Sequence, residues 1–154
     1  MVQETVYLSK KGMKDLRKTI AQLERSLDNA TREVREADKS DSREERYILI
    51  EKMARVEHIT AELADKKSQL QHATLLPRRR DALRVALGSV VDLLDTNGRI
   101  VRYTLVNSIE ADPSDGRISV NSPLGRSLIG RTIRDTVEWS VGLRANQLQL
   151  VRIS

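Results

Sequence analysis

The chain reads as an α+β protein of two unlike parts: an antiparallel hairpin of two long helices over residues 1–77, then a small antiparallel β-sheet domain with one short helix over residues 78–154. Three observations predict this. Apolar residues in the first half recur at alternating spacings of four and three, which is the seam of a coiled coil. Beyond Pro77 the periodicity moves toward two, and an Asn97-Gly98 pair between two alternating runs is a strong hairpin signal.

The first helix is predicted from the seam Met13, Leu16, Ile20, Leu23, Leu27, Ala30, Val34 and Ala37. Ser9 is its candidate N-cap, and Tyr7 and Leu8 just before it are placed to pack back on the first turn. The polar stretch from Asp38 to Ser42 interrupts the pattern. A second run follows with Leu49, Met53, Val56, Leu63 and Leu70 on a comparable stripe, interrupted by Thr60 and Lys67. Two long helices joined by so short a connection must run antiparallel, each covering the other's stripe. About thirty residues per arm gives a length of roughly 45 Å, with residues 38–45 at the tip. Pro77 and the run Arg78-Arg79-Arg80 are expected to end the second helix and mark the domain boundary.

In the second half, strands are predicted at Ser89–Leu94 and Arg99–Val106 around the Asp95–Gly98 turn. Asp112–Gly116 is another turn, leading to a strand from Arg117 to Val120. Ser122 then caps a short helix that has Pro123 at its first position and Gly130 at its end. Thr136–Val141 and Gln147–Ile153 supply the last strands.

Composition narrows the function classes. Lys and Arg number 27 against 22 Asp and Glu, a net charge of +5, and the surplus gathers after Pro77. Either a polyanionic neighbour or solvated basic surface accounts for it. There is no cysteine, hence no thiolate nucleophile and no disulfide framework. His58 and His72, fourteen residues apart on one predicted helix, are roughly 21 Å apart and cannot share a ligand. No glycine-rich phosphate loop follows a strand, so an independent hydrolase is not expected. The N-terminal residues lack an apolar run fit for a signal peptide, and no stretch is fit to span a bilayer, so a cytoplasmic protein without membrane partners is expected.

At the tip, Asp41 and Glu44 are separated by three residues, a spacing that brings their side chains together on a first helical turn. Ser42-Arg43-Glu44-Glu45 also fits a capping box, in which acidic groups serve the helix terminus. Both readings stand, and they can coexist.

The segment Ile118-Ser-Val-Asn-Ser-Pro-Leu-Gly-Arg-Ser-Leu-Ile-Gly130, together with Asp135-Thr-Val137, Tyr7-Leu8-Ser9 and Gly12, resembles the Gre transcript-cleavage factors. The resemblance implies a coiled-coil arm and an FKBP-like C-terminal domain. It implies RNA polymerase as partner, with residues matching Asn121, Ser122 and Pro123 docking at the rim of the secondary channel. It further implies a protein that is not itself an enzyme but stimulates the polymerase's cleavage of backtracked RNA.

The family's tip motif, Asp-x-x-Glu-Asn, matches Asp41, Glu44 and Glu45, with Glu in place of Asn and Arg43 between the carboxylates. On that match Asp41 and Glu44 are the catalytic contributors and, with Glu45 as a further ligand, hold a magnesium ion jointly with the polymerase. Arg78, Arg79 and Arg80 either contact phosphates near the nascent RNA 3′ end or form a hydrated linker. The irregular tip also fits a second function: a channel blocker that inhibits transcription or opposes cleavage. A coiled-coil adaptor without a polymerase role is the third. A prolyl isomerase would need an aromatic-lined pocket, for which the domain offers only Tyr103 and Trp139, both expected as core or edge packing.

Overall fold

In the computed structural model the described residues are 5–39, 42–77, 83–141 and 143–154. They fall into two compact units, one holding Met13–Ala73 and the other Val6–Gly12 with Thr74–Ser154.

The first unit is the helical hairpin. Helix α1 spans Lys10–Ala37 and α2 spans Arg43–Gln71. The expected seam on α1 is the one observed: Met13, Leu16, Ile20 and Ala30 are buried, and Leu23, Leu27, Val34 and Ala37 are half-buried. Ion pairs fix the direction of α2. Glu24 meets Lys67 at 3.3 Å and Glu33, further along α1, meets Arg55 at 3.6 Å, so the helices are antiparallel. These exposed pairs contribute only tenths of a kcal/mol, up to about 1. The register comes from the apolar seam.

The stripe on α2 differs from the expected one. Leu49, Lys52, Val56, Ile59, Leu63, Lys66 and Leu70 are covered, with Gln69 beside them, whereas Met53 is 50% exposed and Thr60 and Lys67 are exposed. The seam is therefore unbroken in spacing, but two of its positions are lysines. A lysine serves there by laying its methylene stem along apolar surface while the ammonium stays in water.

A second difference is the end of α2. The helix stops at Gln71, not at Pro77, with His72 as its cap. The chain then forms a three-residue strand, β2 (Ala73–Leu75), which pairs with β1 (Val6–Leu8). The N–H of Leu76 continues the pairing by donating to the carbonyl of Leu8 at 2.9 Å. Leu8 is fully buried, and Tyr7 remains 41% exposed.

The rest of the second unit is a five-stranded sheet in the order β5-β4-β3-β7-β6. Its strands are β3 (Val90–Leu94), β4 (Ile100–Val106), β5 (Arg117–Ser119), β6 (Thr136–Val141) and β7 (Arg144–Ile153). Helix α3 is Pro123–Leu128. The Asn97-Gly98 signal is realised as a turn in which Gly98 takes a left-handed φ of 80° and its N–H donates to the Asp95 carbonyl at 3.2 Å. The Asp95 side chain clamps the turn, accepting from the N–H groups of Asn97 and Arg99.

The sheet is mixed, not purely antiparallel as expected, because β4 and β5 run parallel. The segment after Val106 is not a hairpin loop. It makes two 3-10 turns, Ser108–Glu110 and Pro113–Asp115, which carry the chain back to the start of the pairing so that Arg117 lies beside Thr104.

Alternation places Val91, Leu93, Leu105, Val137 and Leu150 on one face, where they meet Leu124 and Leu128 of α3 in a single core. Each such buried aliphatic side chain contributes about 1.5–3 kcal/mol through removal from water. That rigid platform carries the loop before α3.

Candidate functional site at the hairpin tip and the docking loop

At the tip, α1 ends at Ala37 and α2 begins after Ser42. Ser40 and Asp41 lie outside the described residues, and so do Arg78, Arg79 and Arg80. The capping box is present in full: the Ser42 hydroxyl accepts from the N–H of Glu45 at 3.3 Å, and Oε2 of Glu45 accepts from the N–H of Ser42 at 3.3 Å. Satisfying two end groups of the helix in this way stabilises the start of α2 by about 1 kcal/mol.

Glu44, on the same first turn, is exposed and has no hydrogen-bond or ion-pair partner among the described residues. Its neighbours further along α2 are unusual for solvent. Tyr47 is 69% exposed and Ile50 62%, with Ile48 and Met53 also open. Met53 was expected on the seam, and Ile48 and Ile50 carry no role in the sequence pattern. The signal was available, since Tyr47, Ile48 and Ile50 cannot all reach a seam that Leu49 already occupies.

The donor set at the tip consists of carboxylates, hard oxygen ligands of the kind magnesium takes, and magnesium is often held by only one or two of them. The described residues contain no group of three or more His, Asp or Glu side chains able to hold an ion by themselves. Both histidines have local roles instead: His58 sits 4.0 Å from Glu62, and the His72 ring meets the carbonyl of Ser68 at 2.8 Å.

In the second unit, Asn121, Ser122 and Pro123 form the turn into α3. Ser122 is the N-cap, its hydroxyl accepting from the N–H of Gly125 at 3.0 Å and donating to the carbonyl of Ser119 at 2.6 Å. Asn121 is tied from both ends: its N–H donates to the Ser119 hydroxyl at 3.0 Å, and its side-chain amide donates to the Ser108 hydroxyl at 3.2 Å. The two serine hydroxyls are themselves 2.8 Å apart. Asn121 and Pro123 thus present exposed surface from a loop with little freedom to rearrange.

Gly125 explains why the turn closes so tightly. A Cβ at that position would lie 2.0 Å from the carbonyl oxygen of Ser119, far inside the contact distance of carbon and oxygen. Ser108 and Ser119, which complete the loop's support, were not singled out from sequence, because lone serines in turns carry no distinctive signal.

Asp135, from the same signature, closes the following turn. Its carboxylate accepts from the N–H of Thr132 at 2.8 Å and from the Thr132 hydroxyl at 3.1 Å. Those bonds, the backbone one first, hold its carboxyl below the usual range.

Residues 80–154 match the family described as "Transcription elongation factor, GreA/GreB, C-term". The chain is 38% identical over 97 residues to transcription elongation factor GreA of Sphingopyxis alaskensis, covering 63% of this chain and 60% of that protein. It is 44% identical over 84 residues to GreA of Chlorobium phaeobacteroides, covering 53% of each. The chain thus spans between half and two thirds of the length of these curated relatives. The solved structure of the transcription factor Gfh1 superposes over 99% of both chains at 26% identity, with a TM-score of 0.48. With a Ser122-capped turn, a glycine that lets it close and an Asp135-closed turn all inside the matched residues, residues 80–154 form a C-terminal domain of the GreA/GreB transcription elongation factor family.

Proposed function

We propose that the chain binds RNA polymerase at its secondary channel and stimulates the polymerase's own cleavage of backtracked RNA, without being an enzyme by itself. In this reading residues 1–77 are the delivering arm, 78–154 the docking domain, and the bacterial cytoplasm the place of action. The observation that carries it is Glu44: an exposed carboxylate on the first turn of α2 with no hydrogen-bond or ion-pair partner among the described residues. A helix of 28 residues, about 42 Å long, is a suitable means of carrying such a group into a narrow passage.

Asp41 and Glu44 would hold a magnesium ion together with carboxylates of the polymerase. Glu45 can add Oε1, the oxygen its capping bond leaves over. When bound, that ion supplies an activated water and charge stabilisation for attack on a phosphodiester. This chain's carboxylates orient that ion and its water, and the exposed Tyr47 and Ile50 offer apolar contact beside them. Asn121, Ser122 and Pro123 dock on the channel rim, and Arg78, Arg79 and Arg80 contact phosphates near the RNA 3′ end.

The blocker reading has one observation in its favour: Glu45 is engaged in capping, which reduces the free donors at the tip. Adding the chain to a stalled, backtracked transcription complex separates the two. Shortened transcripts in the presence of magnesium support the cleavage factor. Slower nucleotide addition with no shortened transcript supports the blocker, and no binding to core polymerase removes both.

A further inference from the structure

Tyr103 and Trp139, expected as packing residues, come together on an open cleft of about 530 Å³ at the end of the sheet that carries the β3–β4 turn. Asn121 is tied to Ser108, beyond the opposite end of β4, so this cleft is separate from the docking loop. Val101 and Leu148 add apolar wall, and Asp95 and Glu138 stand at its edge. In a chain of net charge +5, no lysine or arginine is among the described residues that line it. The indole N–H of Trp139 is buried with no acceptor among the described residues.

Aromatic faces attract a cation that brings its own apolar stem, and carboxylates at the edge give its N–H groups acceptors. Arginine combines these properties better than lysine, because its planar guanidinium stacks and also forks onto a carboxylate. Glu138 is already oriented, since Oε1 accepts from the Gln147 side chain at 2.8 Å. We propose that this cleft is a second protein-docking site, which takes an arginine-bearing segment of a partner protein, its guanidinium against Trp139 and Tyr103 and paired with Glu138.

Trp139 is the sole tryptophan, so its emission reports on the cleft directly. The full chain is titrated with the peptide acetyl-Gly-Leu-Arg-Leu-Arg-Gly-amide, with the same peptide carrying Glu for Arg, and with one carrying Pro for Arg. The proposal expects a saturable emission change with the arginine peptide only, weakened by salt and roughly threefold or more by Glu138→Gln. Glu138 is exposed, so that variant is expected to keep the wild-type melting temperature. A response equal for the Arg and Glu peptides, tighter binding of the proline peptide, indifference to Glu138→Gln, or no saturable change would each overturn it.

Discussion

The backbone N–H of Ser9 donates to Oε2 of Glu110 at 2.9 Å, and the Ser9 hydroxyl donates to the other oxygen of the same carboxylate. Ser9 Oγ in turn accepts from the N–H of Gly12 at 3.0 Å, which makes this a capping box closed over a long stretch of sequence. In the box at Ser42 the acid is Glu45, three residues on; in the box at Ser9 that position is Gly12, and residue 110 supplies the acid. Glycine leaves room for this carboxylate, since a Cβ there would sit 2.1 Å from Oε1 of Glu110 and force the side chain to shift.

A double-mutant cycle tests this arrangement. Glu110→Ala leaves the Ser9 N–H without its acceptor and should cost about 1–3 kcal/mol in urea unfolding. Gly12→Ala should cost a similar amount, about 1–3 kcal/mol, by displacing a buried, doubly bonded carboxylate. The two should be strongly non-additive: with Glu110 removed, Gly12→Ala gains helix propensity of about 1 kcal/mol and the clash is gone.

Gly125→Ala should act on the docking loop more than on the core. The added methyl must push the Ser119 carbonyl, and with it the bonds that hold Asn121 and Ser122. We expect a loss of about 1–3 kcal/mol and polymerase binding weaker than that loss explains, measured by pull-down below the melting temperature.

Arg134 carries a left-handed φ of 77°, the sole non-glycine residue to do so among those described. Relief of that strain outweighs the extra freedom glycine has in the unfolded chain, so Arg134→Gly should raise stability by about 0.5–1 kcal/mol in thermal or urea unfolding.

Asp92 of β3 is nearly buried and accepts from Arg102 at 2.8 and 3.2 Å. The hydrogen bond to Arg102 is the main reason its carboxyl lies below the usual 3.8, and burial works against it. The pair's stabilisation is therefore complete above that value and is lost as the pH falls through the lower, folded-state one. Arg102→Gln should lower stability at neutral pH and flatten the acid limb of the stability–pH curve, read by urea unfolding across the acid range.

The legible parts of the fold were those in which one residue type repeats at one period. The α1 seam could be read directly because its eight positions are all apolar. On α2 the same spacing is obscured by Lys52 and Lys66, which look polar in sequence but are half-buried, so the sequence pattern runs through Met53 instead and is interrupted at Thr60 and Lys67. The three-residue strands β1 and β2 are too short to show alternation, and the direction of β5 depends on 3-10 turns that resemble an ordinary loop in sequence.

The same holds for the site. Ser122 and Pro123 announce a helix start by residue type alone, and the Ser42 box by its spacing. Glu110 could not be found this way, since its partners lie about a hundred residues away. A serine cap with glycine at the acid's usual place was the one available hint.

The central claim is tested most directly by the transcript-cleavage rate of a backtracked complex at saturating factor, wild type against Asp41→Asn and Glu44→Gln, with the half-saturating concentration read from the same titration. Groups that act only on the reacting centre should lower the maximal rate by about a hundredfold or more while barely moving the half-saturating concentration. An unchanged maximal rate, or a loss expressed wholly as weaker binding, would contradict the assignment of these carboxylates to chemistry.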